Sequence, residues 1–181
     1  MRNREELAKY FAELGFTKGA EIGVQCGYYS RILLEAIPSL NLLCVDSWSK
    51  FLPNDFYEDA VRNLSAYPGC TVLRGASVIV AKMVPDKWLD FVFIDADHSY
   101  QSVYEDLQAW VPKVRDGGIV SGHDYFRKDQ IGVIRAVDKF IEESGYKLNI
   151  LGWHVSNPVK DSRQPCWWFV KEHKANKLGG F

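Results

Sequence analysis

The fold is decided by residues 21–27, which read EIGVQCG, because a short apolar strand over 19–24 runs there into a turn with two glycines. A helical pattern follows over 29–37, and the next apolar strand, 42–45, ends at Asp46. A strand, a helix and a second buried strand in this order are typical of a βαβ unit in a parallel sheet. In such sheets ligands bind beyond the carboxyl ends of the strands. The turn and Asp46 therefore predict a binding site.

The same alternation of strands and helices continues through most of the chain. The predicted helices cover 4–15, 29–37, 54–66, a short segment from Ser77, 101–114 and 131–144. The predicted strands cover 19–24, 42–45, 71–73, 91–94, 119–120, 146–155 and 166–171. We therefore predict an α/β fold with a Rossmann-like, mostly parallel, seven-stranded sheet, helices on both faces and an antiparallel C-terminal strand.

Length and composition predict one soluble domain. The chain has 181 residues, of which 47% are hydrophobic and 25% charged, and its net charge is −1. We expect an N-terminal helix (1–16), a cofactor-binding half (17–127) and a C-terminal half (128–181). Without a basic excess, neither nucleic acid nor an anionic membrane is an expected partner. The absence of a signal pattern, a long apolar run and a Cys-x-x-Cys pair predicts a cytoplasmic protein.

The first turn differs from the fingerprint of dinucleotide-binding enzymes. Gln25 stands where that pattern requires its second glycine, and its side chain would hinder a bound pyrophosphate. This disfavours a nicotinamide or flavin cofactor. Gly23 and Gly27 still let the backbone approach a ligand, and Glu21 adds a carboxylate beside them. Asp46 can accept hydrogen bonds from ribose hydroxyls, or it can serve as an ordinary turn residue.

Two polar clusters follow the fourth and fifth predicted strands. Asp95, Asp97 and His98 follow the first of these strands, and His123 and Asp124 follow the second. Because neighbouring parallel strands end at the same rim, we expect the two clusters to converge. The residue types leave three interpretations open, namely a divalent cation site, a histidine acting as general base, and helix capping.

The glycine turn and the acidic residue after the second strand resemble the class I SAM-dependent methyltransferases, and this resemblance covers essentially the whole chain. It implies S-adenosylmethionine (SAM) as cofactor, with Asp46 on the ribose and the turn from Gly23 to Gly27 facing the methionine portion. Ser77 would lie near the adenine, although it is also a good helix N-cap. The cofactor-binding residues predicted in this way are Glu21, Gly23, Gln25, Gly27, Asp46, Ser47, Ser77, Asp95 and Asp97.

The two polar clusters resemble those of cation-dependent O-methyltransferases of the catechol and caffeoyl-CoA type. In that family the first aspartate of an Asp-x-Asp motif and an Asp-Asn pair hold the metal. Asp95 matches the first ligand, whereas His123 and Asp124 take the place of the Asp-Asn pair. The stretches 97–100 (DHSY) and 122–125 (GHDY) resemble more closely a branch of small methyltransferases that includes sugar and macrolide O-methyltransferases. The resemblance implies methylation of a hydroxyl on a small molecule or sugar. It also implies Asp95, His123 and Asp124 as ligands of Mg²⁺ or Mn²⁺, and His98 or His123 as proton acceptor.

Two other functions fit the same residues. The chain could be an enzyme with another nucleotide cofactor, such as an oxidoreductase, or a non-catalytic module that binds SAM or a nucleotide. Little lies outside the predicted sheet to cover an acceptor, apart from the N-terminal helix and the loops 48–56 and 126–130. The predicted site is therefore open, suited to a large acceptor, or completed by a second subunit in a homodimer.

Overall fold

The structure is a computed structural model that describes residues 1, 3–49, 55–126, 131–152 and 165–172. Most of the loop 48–56, most of the loop 126–130 and most of the segment joining the last two predicted strands lie outside the described residues. The strands are β1 Lys18–Ile22, β2 Asn41–Asp46, β3 Cys70–Arg74, β4 Leu89–Ile94, β5 Val114–Gly122, β6 Asn149–Leu151 and β7 Cys166–Val170.

Six α-helices and one short 3₁₀ helix accompany these strands in the described part of the chain. They are α1 Arg4–Glu13, α2 Tyr28–Ala36, α3 Asp55–Leu64, α4 Ser77–Ala81, α5 Tyr100–Trp110, the 3₁₀ helix Val111–Lys113 and α6 Ile131–Ser144. None of these helices is both long and apolar enough to span a bilayer.

The strands form one sheet in the order β3-β2-β1-β4-β5-β7-β6. Strands β1 to β5 pair in parallel, while β7 is antiparallel to both β5 and β6. This confirms the predicted mostly parallel, seven-stranded sheet with an antiparallel C-terminal strand. The antiparallel strand lies inside the sheet, where Gly122 of β5 pairs with Trp167 of β7 and leaves space for the indole ring.

Alternating side chains of the central strand β4 enter two hydrophobic cores, one on each face of the sheet. Phe91 and Phe93 pack with buried residues of α1, α2 and α3, whereas Val92 and Ile94 pack with those of α4, α5 and α6. All four side chains are buried, so β4 is covered by helices on both sides, as its continuous apolar sequence predicts. The two helical layers therefore hold the carboxyl ends of β1, β4 and β5 at one rim.

The fifth strand is longer than its sequence pattern suggests. Gly117 and Gly118 lie inside β5, where the pattern indicates a turn, and the preceding helix ends at Trp110. The pairing of β4 with β5 shifts register between Leu89 and Phe91, and Gly117 has a φ of +77°. The glycine pair therefore forms a bulge within the strand, a conformation that glycine adopts more easily than other residues.

Gly23 brings the first turn into direct contact with the end of β4. Its amide donates to the carbonyl of Val45 at 2.8 Å, and its φ is +92°. A Cβ at this position would overlap the carbonyl oxygen of Asp95. Glycine is thus required here for both its backbone conformation and its lack of a side chain.

We expect Gly23→Ala to lower the free energy of unfolding by more than about 2 kcal/mol, because overpacking adds to the cost of a left-handed alanine. Gly15→Ala is the matched control, since Gly15 also has a positive φ but has open space around it. Gly15→Ala should lower the free energy of unfolding by only about 1–2 kcal/mol. Urea unfolding of both variants checks this, and equal losses would contradict the close contact at Gly23.

Candidate active site

Two adjoining clefts open at the carboxyl ends of the parallel strands. The larger has a volume of about 590 Å³ and the smaller about 210 Å³. Residues that line both clefts are Gly23, Asp46, Ser47, Ala96 and Asp97. Small-molecule sites typically have a volume of about 300–1,000 Å³, so the two clefts together have room for one elongated ligand that reaches into both.

Asp46 ties the glycine turn to the end of β2. Its Oδ2 accepts hydrogen bonds at 2.9 Å from the backbone amides of Val24 and Gln25, and its Oδ1 accepts one at 2.8 Å from the amide of Trp48. Each carboxylate oxygen has two acceptor sites, so Oδ1 retains one for a ligand. Asp46 therefore shapes the turn in addition to lining both clefts.

The turn itself contains a residue with an unusual backbone conformation. Gln25 has a φ of +53°, which is uncommon for a residue other than glycine. Its carbonyl accepts a hydrogen bond at 2.7 Å from the indole nitrogen of Trp48, which is buried. Trp48 thus holds the turn in place through this hydrogen bond.

Glu21 lies at the floor of the larger cleft and is only 2% exposed. Burial raises the pKa of its carboxyl to about 8, although a short hydrogen bond from Ser30 and the charge of Arg4 act in the opposite direction. The nearby charge of Asp95 raises this pKa further. Glu21 is therefore largely protonated at neutral pH.

The smaller cleft has a polar end formed by α4 and α5. The indole nitrogen of Trp110 donates to Oγ of Ser77 at 2.7 Å, and that hydroxyl donates in turn to Asp106. Burial raises the pKa of Asp106 to about 6. The N-cap of α4 is Ala76, so Ser77 faces the cleft and does not cap the helix.

Asp95, His98 and Asp124 converge on the rim of the larger cleft. One ligand atom from each residue lies within 4.8 Å of the others. Nε2 of His98 is 3.5 Å from Asp95 and 3.1 Å from Asp124. Two carboxylates and one imidazole suit Mn²⁺ or a similar cation, while Mg²⁺ would rely more on the carboxylates and water.

His123 lies deeper beneath the same carboxylates. Its Nδ1 is 3.3 Å from Asp124 and 3.8 Å from Asp95, but its side chain is 3% exposed against 33% for His98. Its Nε2 is buried and has no hydrogen-bond partner among the described residues. His98 is therefore the more exposed of the two histidines that line the larger cleft.

The charges of this cluster shift one another's protonation. Burial alone would raise the pKa of Asp95, but contact with His98 and the charges of His123 and Arg4 outweigh it and lower that pKa. Contact with Asp95 raises the pKa of His98, because it outweighs the opposing effect of burial. Both shifts favour the charged form of the group concerned, because the carboxylate and the imidazole attract each other.

Asp97 lies before the N-cap of α5 and lines both clefts. Its Oδ1 accepts a hydrogen bond at 2.7 Å from the amide of Ser99, which is the N-cap of α5. Hydrogen bonds with the side chain and the amide of Ser99 lower the pKa of Asp97. The capping interpretation therefore holds for Ser99, while Asp97 orients that residue from the edge of the clefts.

The strand-end patterns in the sequence do not mark two buried charged residues at the clefts. Arg4 reaches the larger cleft from the first turn of α1, and Asp106 reaches the smaller one from the middle of α5. Neither follows the end of a strand, where site residues of this sheet are expected. The only sequence signal for these two residues is that each is a charged residue on the buried face of a helix. Arg4 precedes Leu7 by three positions, and Asp106 lies beside Leu107.

We expect the raised pKa of Glu21 to make the free energy of unfolding depend on pH. The folded pKa of about 8 lies above the ordinary value of 4.5, so the stabilising effect of the bound proton is lost as pH rises between these values. Glu21→Gln should therefore gain stability relative to wild type from pH 5 to pH 8, by at most about 1.4 kcal/mol per pH unit. Urea midpoints across this range measure the difference.

Glu13→Gln, on the exposed side of α1, is the matched control and should leave the wild-type pH profile in place. If the Glu21→Gln profile ran parallel to that of wild type, the raised pKa would be refuted.

Comparison with known proteins agrees with the fold. A family model described as a methyltransferase domain matches residues 20–125, more than half of the chain. A search of curated protein sequences finds no match. An O-methyltransferase from Bacillus cereus, solved with SAH, superposes with a TM-score of 0.71 at 18% identity, covering 93% of this chain and 80% of that one.

Two further structures show how widely this architecture is used. The O-methyltransferase TomG from Streptomyces achromogenes, solved with SAM, has a TM-score of 0.69 at 16% identity and covers 94% of this chain and 80% of its own. A protein described as an rRNA methylase from Clostridium thermocellum has a TM-score of 0.68 at 11% identity and covers 97% of this chain and 99% of its own. At such identities the likeness shows the fold, whereas the family match over residues 20–125 shows that the chain belongs to the methyltransferase-domain family.

Proposed function

We propose that this methyltransferase-domain protein uses SAM to methylate a hydroxyl group on a small molecule or sugar. The observation that carries the proposal is the convergence of Asp95, His98 and Asp124 on the same cleft as the glycine turn and Asp46. Membership of the methyltransferase-domain family supports the reaction class. The SAM and SAH bound in structurally similar O-methyltransferases support the cofactor and the oxygen acceptor.

We propose an order in which the two clefts would bind the parts of SAM. We assign the adenine to the smaller cleft beside Ser77 and Asp106, and the ribose to Asp46, which borders both clefts. The methionine portion is assigned to the larger cleft next to Gly23, where a close backbone approach is available. Bound SAM supplies a methyl group on a positively charged sulfur, which an acceptor oxygen attacks in line.

The cluster at the rim can prepare an acceptor hydroxyl in either of two ways. In the first, Asp95, His98 and Asp124 hold a divalent cation, and His123 supports the two carboxylates from below. When bound, such a cation orients the hydroxyl and lowers its pKa. We propose His98 as the third ligand in place of His123, because its side chain is the more exposed and its Nε2 lies closer to both carboxylates than Nδ1 of His123 does.

In the second arrangement the cluster works without a cation. His98 then accepts the hydroxyl proton, and the carboxylates of Asp95 and Asp124 hold its ring in place. Both arrangements position the oxygen beside the methyl group and make the same product. Positioning of the two reactants supplies much of the rate in either case.

We expect wild-type protein to bind SAH in a calorimetric titration and to be stabilised by SAH but not by NAD in a thermal shift. Asp46→Ala should weaken SAH binding at least about tenfold, because it removes a charged hydrogen-bond acceptor and releases the turn. Asp55→Ala, at the exposed start of α3, is the matched control. Absence of SAH and SAM binding at millimolar concentration would overturn the proposal, and binding of NAD alone would favour an oxidoreductase.

We expect His98→Ala to lower methyl transfer by about 10²–10⁴-fold, with a smaller loss for His123→Ala. Transfer of labelled methyl groups from SAM to catechols, sugars and hydroxylated macrolides measures this. Loss of activity in EDTA with recovery in Mg²⁺ or Mn²⁺ would select the cation arrangement, and insensitivity to EDTA the proton acceptor. Unchanged rates in both histidine variants would refute both arrangements, and SAH binding without transfer to any acceptor class would favour a non-catalytic module.

A further inference from the structure

Arg4 is a buried cation at the larger cleft, and one nitrogen of its guanidinium lacks a hydrogen-bond partner among the described residues. Arg4 is 6% exposed, and the unpartnered nitrogen is its buried Nε. A buried guanidinium nitrogen without a partner is costly, so such groups normally meet a protein acceptor, a water or a ligand. Arg4 therefore points to an anionic ligand in the cleft.

The residues around Arg4 hold its side chain in place but leave its Nε without a hydrogen-bond partner. Its Nη1 lies 3.7 Å from Oδ2 of Asp95, which is an ion pair but too long for a hydrogen bond. The guanidinium stands 5.6 Å from the ring centre of Tyr28 and 5.3 Å from that of Tyr29. The Tyr29 hydroxyl also donates to the Arg4 carbonyl at 3.0 Å, which ties α1 to α2.

Building on the proposed function, we propose that Arg4 binds the carboxylate of the methionine portion of SAM. The planar fork of a guanidinium matches a carboxylate in two parallel hydrogen bonds. Asp95 stands beside Arg4 and presents the opposite charge, so the pair is complementary to the carboxylate and ammonium groups of one amino acid end. Arg4 is thus a cofactor-binding residue contributed by the N-terminal helix.

The position of Arg4 favours the cofactor over the acceptor as the source of this carboxylate. Tyr28 and Tyr29 open α2 directly after the turn from Gly23 to Gly27, where the methionine portion is assigned. Gly23 and Arg4 line the same larger cleft. An acceptor with its own carboxylate or phosphate would be the other source, and the experiment below separates the two.

The test compares SAH with its decarboxylated analogue, which keeps the amine and lacks only the carboxylate. Calorimetric titration of wild type should show about 10- to 100-fold weaker binding of the analogue, as expected for a charge-assisted hydrogen-bond pair. Arg4→Met should bind SAH about 10- to 100-fold more weakly than wild type and should not discriminate between the two ligands. Arg4→Lys, which keeps the charge without the fork, should fall between them.

Arg31→Met, the same replacement at an exposed position of α2, is the matched control and should bind both ligands as wild type does. The inference is overturned if wild type binds both ligands equally, or if Arg4→Met weakens both equally, which marks a structural role. It is also overturned if Arg4→Met leaves SAH binding unchanged, because Arg4 would then be assigned to binding of the acceptor. If Arg4→Met fails to fold, the inference is still tested by comparing SAH with its decarboxylated analogue on wild type and on Arg4→Lys. Failure of wild type to bind either ligand would instead remove the proposed function itself.

Discussion

The close approach of Gly23 to the Asp95 carbonyl is the contact on which the rest of the site depends. The amide of Asp95 donates to the carbonyl of Ile22 at 2.7 Å, so the ends of β1 and β4 stay paired up to the turn. Because Gly23 has no side chain, the turn can pass directly over the end of β4. Asp46 then anchors the other side of the turn through the backbone amides of Val24 and Gln25. One glycine and one aspartate thereby bring the clefts and the acidic rim together.

Charge balance is the second constraint on the site. Asp95 and Asp124 are acidic groups at a rim where Arg4, His98 and His123 supply the only described basic contacts. Burying so many ionisable groups costs stability unless they pair with one another or with a ligand. Protonation of Glu21 removes one negative charge from this crowded region. This arrangement of charges suits a ligand that carries charges of both signs.

Most of the architecture follows from local sequence patterns. The continuous apolar run of β4, the glycine turn and the strand-end Asp46 predict a mostly parallel sheet, and the structure confirms it. Two clefts lie at the rim where these residues predict a binding site. The bulge at Gly117 and Gly118 escapes prediction, because a glycine pair between apolar segments looks the same in a turn and in a bulged strand. The positive φ of Gln25 escapes it too, since only the tertiary contacts of Asp46 and Trp48 stabilise that conformation.

The sequence by itself determined the fold class, the rim and the residue types that meet there, because strand periodicity places strand-end residues on one edge of a parallel sheet. Only the tertiary structure decided how deep each side chain lies. The His123 amide still pairs with the Ile94 carbonyl and its side chain is 3% exposed, whereas His98 follows the end of β4 and its side chain is 33% exposed, although both residues line the larger cleft. Likewise, no spacing rule relates Arg4 to Asp95. Their contact arises because α1 packs its apolar face on the sheet beside α2 and so carries Arg4 to the rim.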